Sequence, residues 1–460
     1  MSIKTTINTP ENTLNYMKYV EIENDSLFPP VTGGAGQGVF NKSAILVKNI
    51  ESGQTNAAPF GTGGAVDAFG RLRVSEPFTL LDAKMLNNKL PNIYDEVING
   101  SATSTFITDD SLVLMSTSAD GDYVIRQTPI HFNYQPGKSM LSYFTGVFEP
   151  ETNIIKRVGM FQGLSAAPYT PSDGIFLEST ENYVSFNVIK TQGTPFSLSA
   201  SQSEWNIDKL DGNGASGLTI DFTKAQLVII DYEWLSVGRV RCGFMMGGSP
   251  IYVHQFANIN NLTGPYMTSG NQPVRYEIRQ VGSGAGSMKH ICSSVMVEGG
   301  QENVGFTVTA ATSATVAVDT TFRPLLAIRL NPNSHDRSLL VKSLKFLNSG
   351  NGDVYWKSVL NPTIIGGSLN WIQADNSADV QVAFGSASLT LSGGYDLTSN
   401  FAPAGNAAVQ TGAGDGIFTS ELGRVGTKIN GTPETIVVAG VVRGTGSGAV
   451  ITAADILVKG

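Results

Sequence analysis

The sequence predicts an all-β protein, with two β-sandwich or jelly-roll domains preceded by an extended N-terminal arm. Three observations carry this expectation. Short runs of alternating or β-branched apolar residues recur from about residue 66 onward, and each is bounded by Gly, Pro, Asn or Asp. Glycine reaches 51 residues, which suits tight turns. Charged residues make up only 15% of the chain, well under the roughly 25% of ordinary soluble domains. Laterally paired strands leave fewer positions that need charge.

The elements follow in order. Residues 1–65 are punctuated by PENT, LFPP, TGGAGQG and APFGTGGA, with one apolar run, AILVK (44–48). Such a stretch has no core of its own and reads as an anchoring arm that must lie on something else. Residues 66–300 form the central sandwich. Its strand-like runs are RLRVSE (71–76), STFIT (104–108), SLVLMS (111–116), DYVIRQT (122–128), MLSYFTGVFE (140–149), IIKRVGMF (154–161), GIFLES (174–179) and NYVSFNVIK (182–190). GLTIDF (217–222), AQLVIIDYEWL (225–235), GRVRCGFM (238–245), IYVHQF (251–256) and VRYEIRQ (274–280) continue the series. FTLLDAKMLNNK (78–89) is the helical candidate. Residues 301–460 form a second sandwich, with LLAIRLN (325–331), SLLVKSLKFLN (338–348), DVYWKSVL (353–360), VQVAFG (380–385) and TIVVAGVVRG (435–444) as its best strands. Its Gly-, Ala- and Ser-rich loops suit an exposed, variable surface.

Charge and hydropathy exclude some functions. A net charge of −8 and a pI near 5.1 argue against nucleic acid as a partner, because phosphate binding needs clustered Lys and Arg. No run approaches the roughly 18 apolar residues of a membrane helix, and the N-terminal MSIKTTINTPENTLNY lacks a signal-peptide core. A soluble protein without membrane insertion is therefore expected. Cys242 and Cys292 both fall in apolar strand-like runs and read as buried free thiols.

Each candidate for chemistry has a plainer structural reading. The loop WNIDKLDGNGASG (205–217) sets Asp208, Asp211 and Asn213 among glycines, with Asp221 beyond. It lacks the acid spacing and terminal Glu of a helical calcium loop, and a non-helical calcium loop of the kind found on β-sandwiches is the alternative reading. Asp, Asn and Gly there make strong turn chemistry, with Trp205 plugging the core edge. In DYEWLSVGRVRCGF (231–244), Asp231 and Glu233 share one strand face, as do Arg239 and Arg241 on the next strand. A glycosidase could use such carboxylates, but a cross-strand charge ladder on the solvent face is simpler. His131, His254, His290 and His335 lack zinc-site spacing, although His290 and Cys292 would share a strand face. No G-x-S-x-G elbow is present. QVGSGAGS (280–287) lacks the Lys-Ser/Thr ending of a phosphate loop and reads as a flexible turn. Tyr232, Trp234, Tyr252, Phe256, Tyr266 and Tyr276 could serve a core or a sugar-binding groove, and core is the default reading. No catalytic, cofactor or metal residue is assigned from the sequence.

The run DAFGRLRVSEPFTLLDAK (67–84) resembles a sequence shared by virion structural proteins of large tailed phages, cyanophages among them, and of some giant viruses. The likeness continues through FNYQPGKS (132–139), WNIDKLDGNGASGLTIDFTK (205–224), DYEWLSVGRVRCGF (231–244) and PVRYEI (273–278). It thus spans about 67–300 and omits the arm and the C-terminal region. It implies a virion-associated structural role without a fixed position in the particle and without catalytic residues. The expectation is a homo-oligomer, a trimer, in a tail, collar or fibre-like appendage. The arm would bind other virion proteins, and the C-terminal loops a host glycan or receptor. A head decoration protein is the alternative within the same class. A polysaccharide-degrading tailspike, using Asp231/Glu233 or Asp208/Asp211, is the alternative from another class.

Overall fold

The structure, a computed structural model, describes residues 4–5, 20–21 and 67–459, apart from 70, 72, 74–75, 301–304, 375–376 and 412–423. Strands are numbered along the chain. Within the arm, β1 (Lys4–Thr5) and β2 (Val20–Glu21) pair antiparallel. The rest of the arm, including AILVK, lies outside the described residues.

Two antiparallel sheets make the central sandwich. One runs, in spatial order, β12 (Phe196–Ser201), β11 (Val184–Lys190), β10 (Pro171–Ser179), β9 (Ile154–Gly163), β16 (Val274–Gln280), β7 (Tyr123–Gln127) and β4 (Asp95–Asn99). The other runs β15 (Ser249–Phe256), β14 (Val240–Met246), β13 (Ala225–Tyr232), β8 (Met140–Val147), β17 (Gly286–Val297), β6 (Leu112–Thr117) and β5 (Thr103–Ile107). The last two strands in sequence thread the middle of the sheets: β16 lies between β9 and β7, and β17 between β8 and β6. These crossovers give the jelly-roll character and tie the domain's end to its beginning. Alternate residues of each strand face inward, so Val158, Met160, Val274, Tyr276 and Ile278 of one sheet meet Phe144, Val228, Ile230, Tyr232 and Phe244 of the other in one core.

The helical candidate at 78–89 is instead a strand, β3 (Phe78–Lys84), paired with the second half of β17. Leu81, Ala83 and Met85 are buried while Asp82 and Lys84 face out, a period of two. GLTIDF is likewise corrected. It forms no strand and contributes a single bridge, Asp211–Thr219.

The second sandwich has its own core. One sheet holds β18 (Phe306–Ala311), β31 (Gly448–Lys459), β21 (Ser338–Asn348) and β28 (Ala407–Thr411), with β19 (Val316–Val318) on β31 and β29 (Arg424–Val425) on β21. Facing it are β24 (Ile372–Gln373), β25 (Val380–Phe384), β20 (Arg323–Leu330), β30 (Thr435–Arg443), β22 (Asp353–Leu360) and β27 (Tyr395–Ala402). Trp356 stacks on Phe346 between them, with ring centroids 4.3 Å apart. A small hairpin, β23 (Thr363–Ile365) with β26 (Thr390–Ser392), completes the domain.

The two sandwiches meet through the turn after β29. The Thr427 N–H donates to Pro129 O at 2.9 Å, and the Ile429 N–H to Asp95 Oδ2 at 2.9 Å. The Ile429 side chain packs with Tyr123 and Ile125. Gly426 is required here, because a Cβ would stand 2.0 Å from Pro129 O.

Candidate functional site

The acids and arginines of 231–241 build a clasp. β13 and β14 pair in a register that sets Asp231 opposite Arg241. Tyr232 faces the core, so Asp231 faces the outer side of the sheet, as alternation requires. That side is covered rather than solvated, and both Asp231 and Arg241 are fully buried. The solvent-face ladder expected from sequence is thereby corrected. What covers it includes Ala68 and Arg73. Arg73 donates to Asp231 Oδ2 at 2.6 Å and also bonds Glu298. Arg241 bonds the same Asp231 oxygen, and Tyr252 donates to it at 3.0 Å. Ser139 Oγ donates to Asp231 Oδ1 at 2.6 Å and lies 3.3 Å from the Ala68 N–H that bonds it. Arg239 reaches back to Ala68 O at 2.8 Å, and Glu233 Oε1 accepts from the Arg239 N–H at 3.0 Å. Asp67, itself buried, holds Arg71 through both oxygens.

Electrostatics follow from this geometry. Burial lowers the Arg73 pKa, but Asp231 and Glu298 outweigh it and the net shift is upward. Burial raises the Glu298 and Glu233 carboxyls. Burial, then the Asp231 charge, pushes the Tyr252 phenol well up. A carboxylate bonded by two guanidiniums and two hydroxyls, with no exposed surface, is built to hold chain segments together. A substrate reaches Asp231 only if the clasp opens.

A second charged network occupies the outer face of the β12–β4 sheet, and sequence reasoning missed it. Arg275, Glu277 and Arg279 alternate along β16, so all three side chains share one face. Glu277 is fully buried and accepts from Arg157 Nη1 at 2.7 Å, from Arg275 Nε at 2.9 Å and from Arg279. Arg157 also bonds Glu178 at 2.7 Å. Burial alone would raise the Glu277 pKa; Arg275, Arg157 and Arg279 bring it down to about 2. Arg275 donates further to Tyr169 O at 2.6 Å and Gln127 Oε1 at 3.1 Å. The signal was the R-x-E-x-R alternation within VRYEIRQ.

Beside this network, between the sandwiches, lies a cleft of about 140 Å³. Gln127, His131, Gln162 and Ser172 line it from the central sandwich, and Thr427, Lys428 and Ile429 from the turn after β29.

The remaining candidates fall elsewhere. In the 205–217 loop, Asp208 is buried and accepts from the Leu210 N–H at 2.9 Å and the Ser216 N–H at 2.6 Å. Asp211 accepts from the Asn213 N–H at 2.9 Å. These are turn-forming bonds. Gly214 permits them, since a Cβ there would stand 2.0 Å from Asp208 Oδ1. Trp205 is buried between Phe186 and Phe244, and Asp221 caps the Thr223 N–H at 3.0 Å.

A bulge in β17 between His290 and Cys292 reverses the alternation. His290 therefore points into the core, stacked on Tyr276 at 3.6 Å, while Cys292 is only half-buried, not buried as expected. Cys242 is buried. Burial holds His290 neutral and pulls His131 and His254 down to about 4. Tyr232, Tyr252, Phe256, Tyr266 and Tyr276 are buried, and Trp234 is half-buried.

No protein-family model and no curated protein matches the chain. Among solved structures, it is similar to the carbohydrate recognition domain of Emp47p, at 11% identity and a TM-score of 0.30, covering 46% of this chain and 93% of that one. It is similar to the β-glucanase of Bacillus licheniformis, at 10% identity and a TM-score of 0.32, covering 48% of this chain and 98% of that one. A legume lectin-like domain from Entamoeba histolytica is similar at 9% identity and a TM-score of 0.29, covering 47% and 96%.

Proposed function

We propose that the chain is a structural component of a phage particle, a homotrimeric tail, collar or fibre-like appendage protein, and not an enzyme. One observation supports this above others. Ala68, Arg73, Ser139, Asp231, Arg239 and Arg241, from three of the segments on which the virion resemblance rests, converge on one buried clasp. The clasp fixes Ala68 and Arg73 at the start of the central sandwich, which would offer an arm of residues 1–65 a rigid point of attachment. That is what an anchoring arm needs if it is to transmit load to neighbouring virion proteins. The acids a tailspike would use are instead held by guanidiniums, hydroxyls and backbone N–H groups.

Immunogold labelling of purified particles with an antibody to this chain tests the reading. Label in a few symmetric copies at the neck, tail or baseplate is expected. Label spread over the head makes it a decoration protein, and particles free of the chain overturn both. Converting Asp231 to Asn and Glu233 to Gln addresses the enzyme alternative. Loss of polysaccharide degradation that the parent chain performs, with folding intact, would establish the tailspike instead.

A further inference from the structure

The cleft between the sandwiches presents donors without matching acceptors. Gln127 is buried, and its carbonyl accepts from Arg275 Nη1 at 3.1 Å. The guanidinium has only N–H groups to offer, so the orientation of this amide is fixed. Gln162 Oε1 lies 3.1 Å from His131 Nε2 and accepts from that neutral, buried ring. Each amide thus uses its carbonyl inside the protein. Their NH2 groups form no hydrogen bond among the described residues, and both side chains line the cleft. Lys428 and His335 line the cleft from the second sandwich, the Lys428 charge also lies near Asp95 and Glu434, and no carboxylate is among the lining residues.

The walls are held in place. Arg275 is locked to Glu277 and Tyr169. Gly163, in the cleft floor, leaves no room for a Cβ, which would stand 2.4 Å from Tyr169 O. On the far side, the turn carrying Lys428 is tied to the central sandwich through Thr427 and Ile429. Two amide donors and a lysine around one cleft, with room for one small ring, match a group that carries a carboxylate together with hydroxyl oxygens.

We propose that this interdomain cleft binds a single acidic sugar unit, its carboxylate toward Lys428 and its hydroxyl or ring oxygens toward the Gln127 and Gln162 amides. The site needs both sandwiches, so neither alone would bind. It stands independently of whether the chain resides in a virion.

The full chain should be titrated by saturation-transfer NMR with glucuronic acid and N-acetylneuraminic acid, with glucose and acetate as comparisons and inorganic phosphate added as a competitor of the sugar signal. Binding of at least one acidic sugar is expected, with Lys428→Glu and Gln127→Ala each weakening it by roughly tenfold or more. Glucose should bind more weakly and acetate without saturation. Gln127 is buried and Lys428 half-buried, so whichever variant keeps the parental melting temperature carries the test. No signal from either acidic sugar overturns the proposal. So does binding that persists unchanged in folded Lys428→Glu, or acetate matching the sugars and phosphate displacing them, which would leave a simple anion site.

Discussion

At the scale of single residues, buried charge decides most of what is distinctive. Asp231 answers two arginines, so removing one leaves a buried charge under-compensated. Arg241→Ala should cost about 3–5 kcal/mol, the usual penalty for breaking a buried pair, read from urea denaturation. A loss under about 1 kcal/mol would instead match a solvated surface pair. Two glutamates give pH dependences of opposite sign. Burial raises Glu434 to about 7, despite bonds from Asn361 and the Gly426 N–H; Lys428 and Asp95 also face it. The native state therefore keeps a proton that the unfolded chain releases in the ordinary carboxyl range. The stability from that proton is complete below that range and is lost as pH rises through about 7. Glu434→Gln should flatten the melting temperature over this window. Glu277, at about 2 in the native state, behaves oppositely. Its contribution is full above the ordinary range and fades as pH falls toward 2, so Glu277→Gln should remove part of the acid-side loss.

At the scale of elements, the loops are as determined as the strands. The 205–217 turn closes on Asp208 through backbone N–H groups, so EDTA should leave the melting temperature unchanged; a marked drop would reassign the loop to calcium. The turn after β29 performs a different task, because Ile429 is the apolar contact it places on Tyr123 and Ile125. Ile429→Asp buries a charge against that cluster and should uncouple the sandwiches. Scanning calorimetry would then show two transitions where the parent shows one. A single transition at the parental temperature would show that Ile429 does not couple them.

At the scale of the whole molecule, the clasp and the interdomain turn lie at different places on the central sandwich. Ala68 and Arg73 lie at the outer face of β13 and β14, and the second sandwich docks at the β7 and β4 edge of the other sheet. Removing residues 1–65 should therefore leave thermal unfolding nearly unchanged while abolishing incorporation into particles. A truncated chain that still co-sediments with particles would move the anchor elsewhere. Light scattering of the intact chain should report a trimer, and a monomer at every concentration would exclude the proposed symmetry.

The β class was legible in the sequence because alternation and turn residues are local properties, readable within a few positions. The strands at IIKRVGMF, NYVSFNVIK and SLLVKSLKFLN stand where that alternation put them. β17 and β31 escaped because their runs are diluted by Ser, Gly, Ala and Lys; each is made a strand by neighbours on both sides. The sequence alone also paired Asp231 with an arginine-bearing strand, since register within a hairpin is short-range. Only the tertiary structure decided that this face is buried, because its cover comes from residues more than 150 positions earlier. Side-chain direction after a bulge, as at Cys292, and the cleft shared by two domains belong to the same class. Each depends on which distant segment fills the space beside a residue, and alternation along one strand carries no record of that.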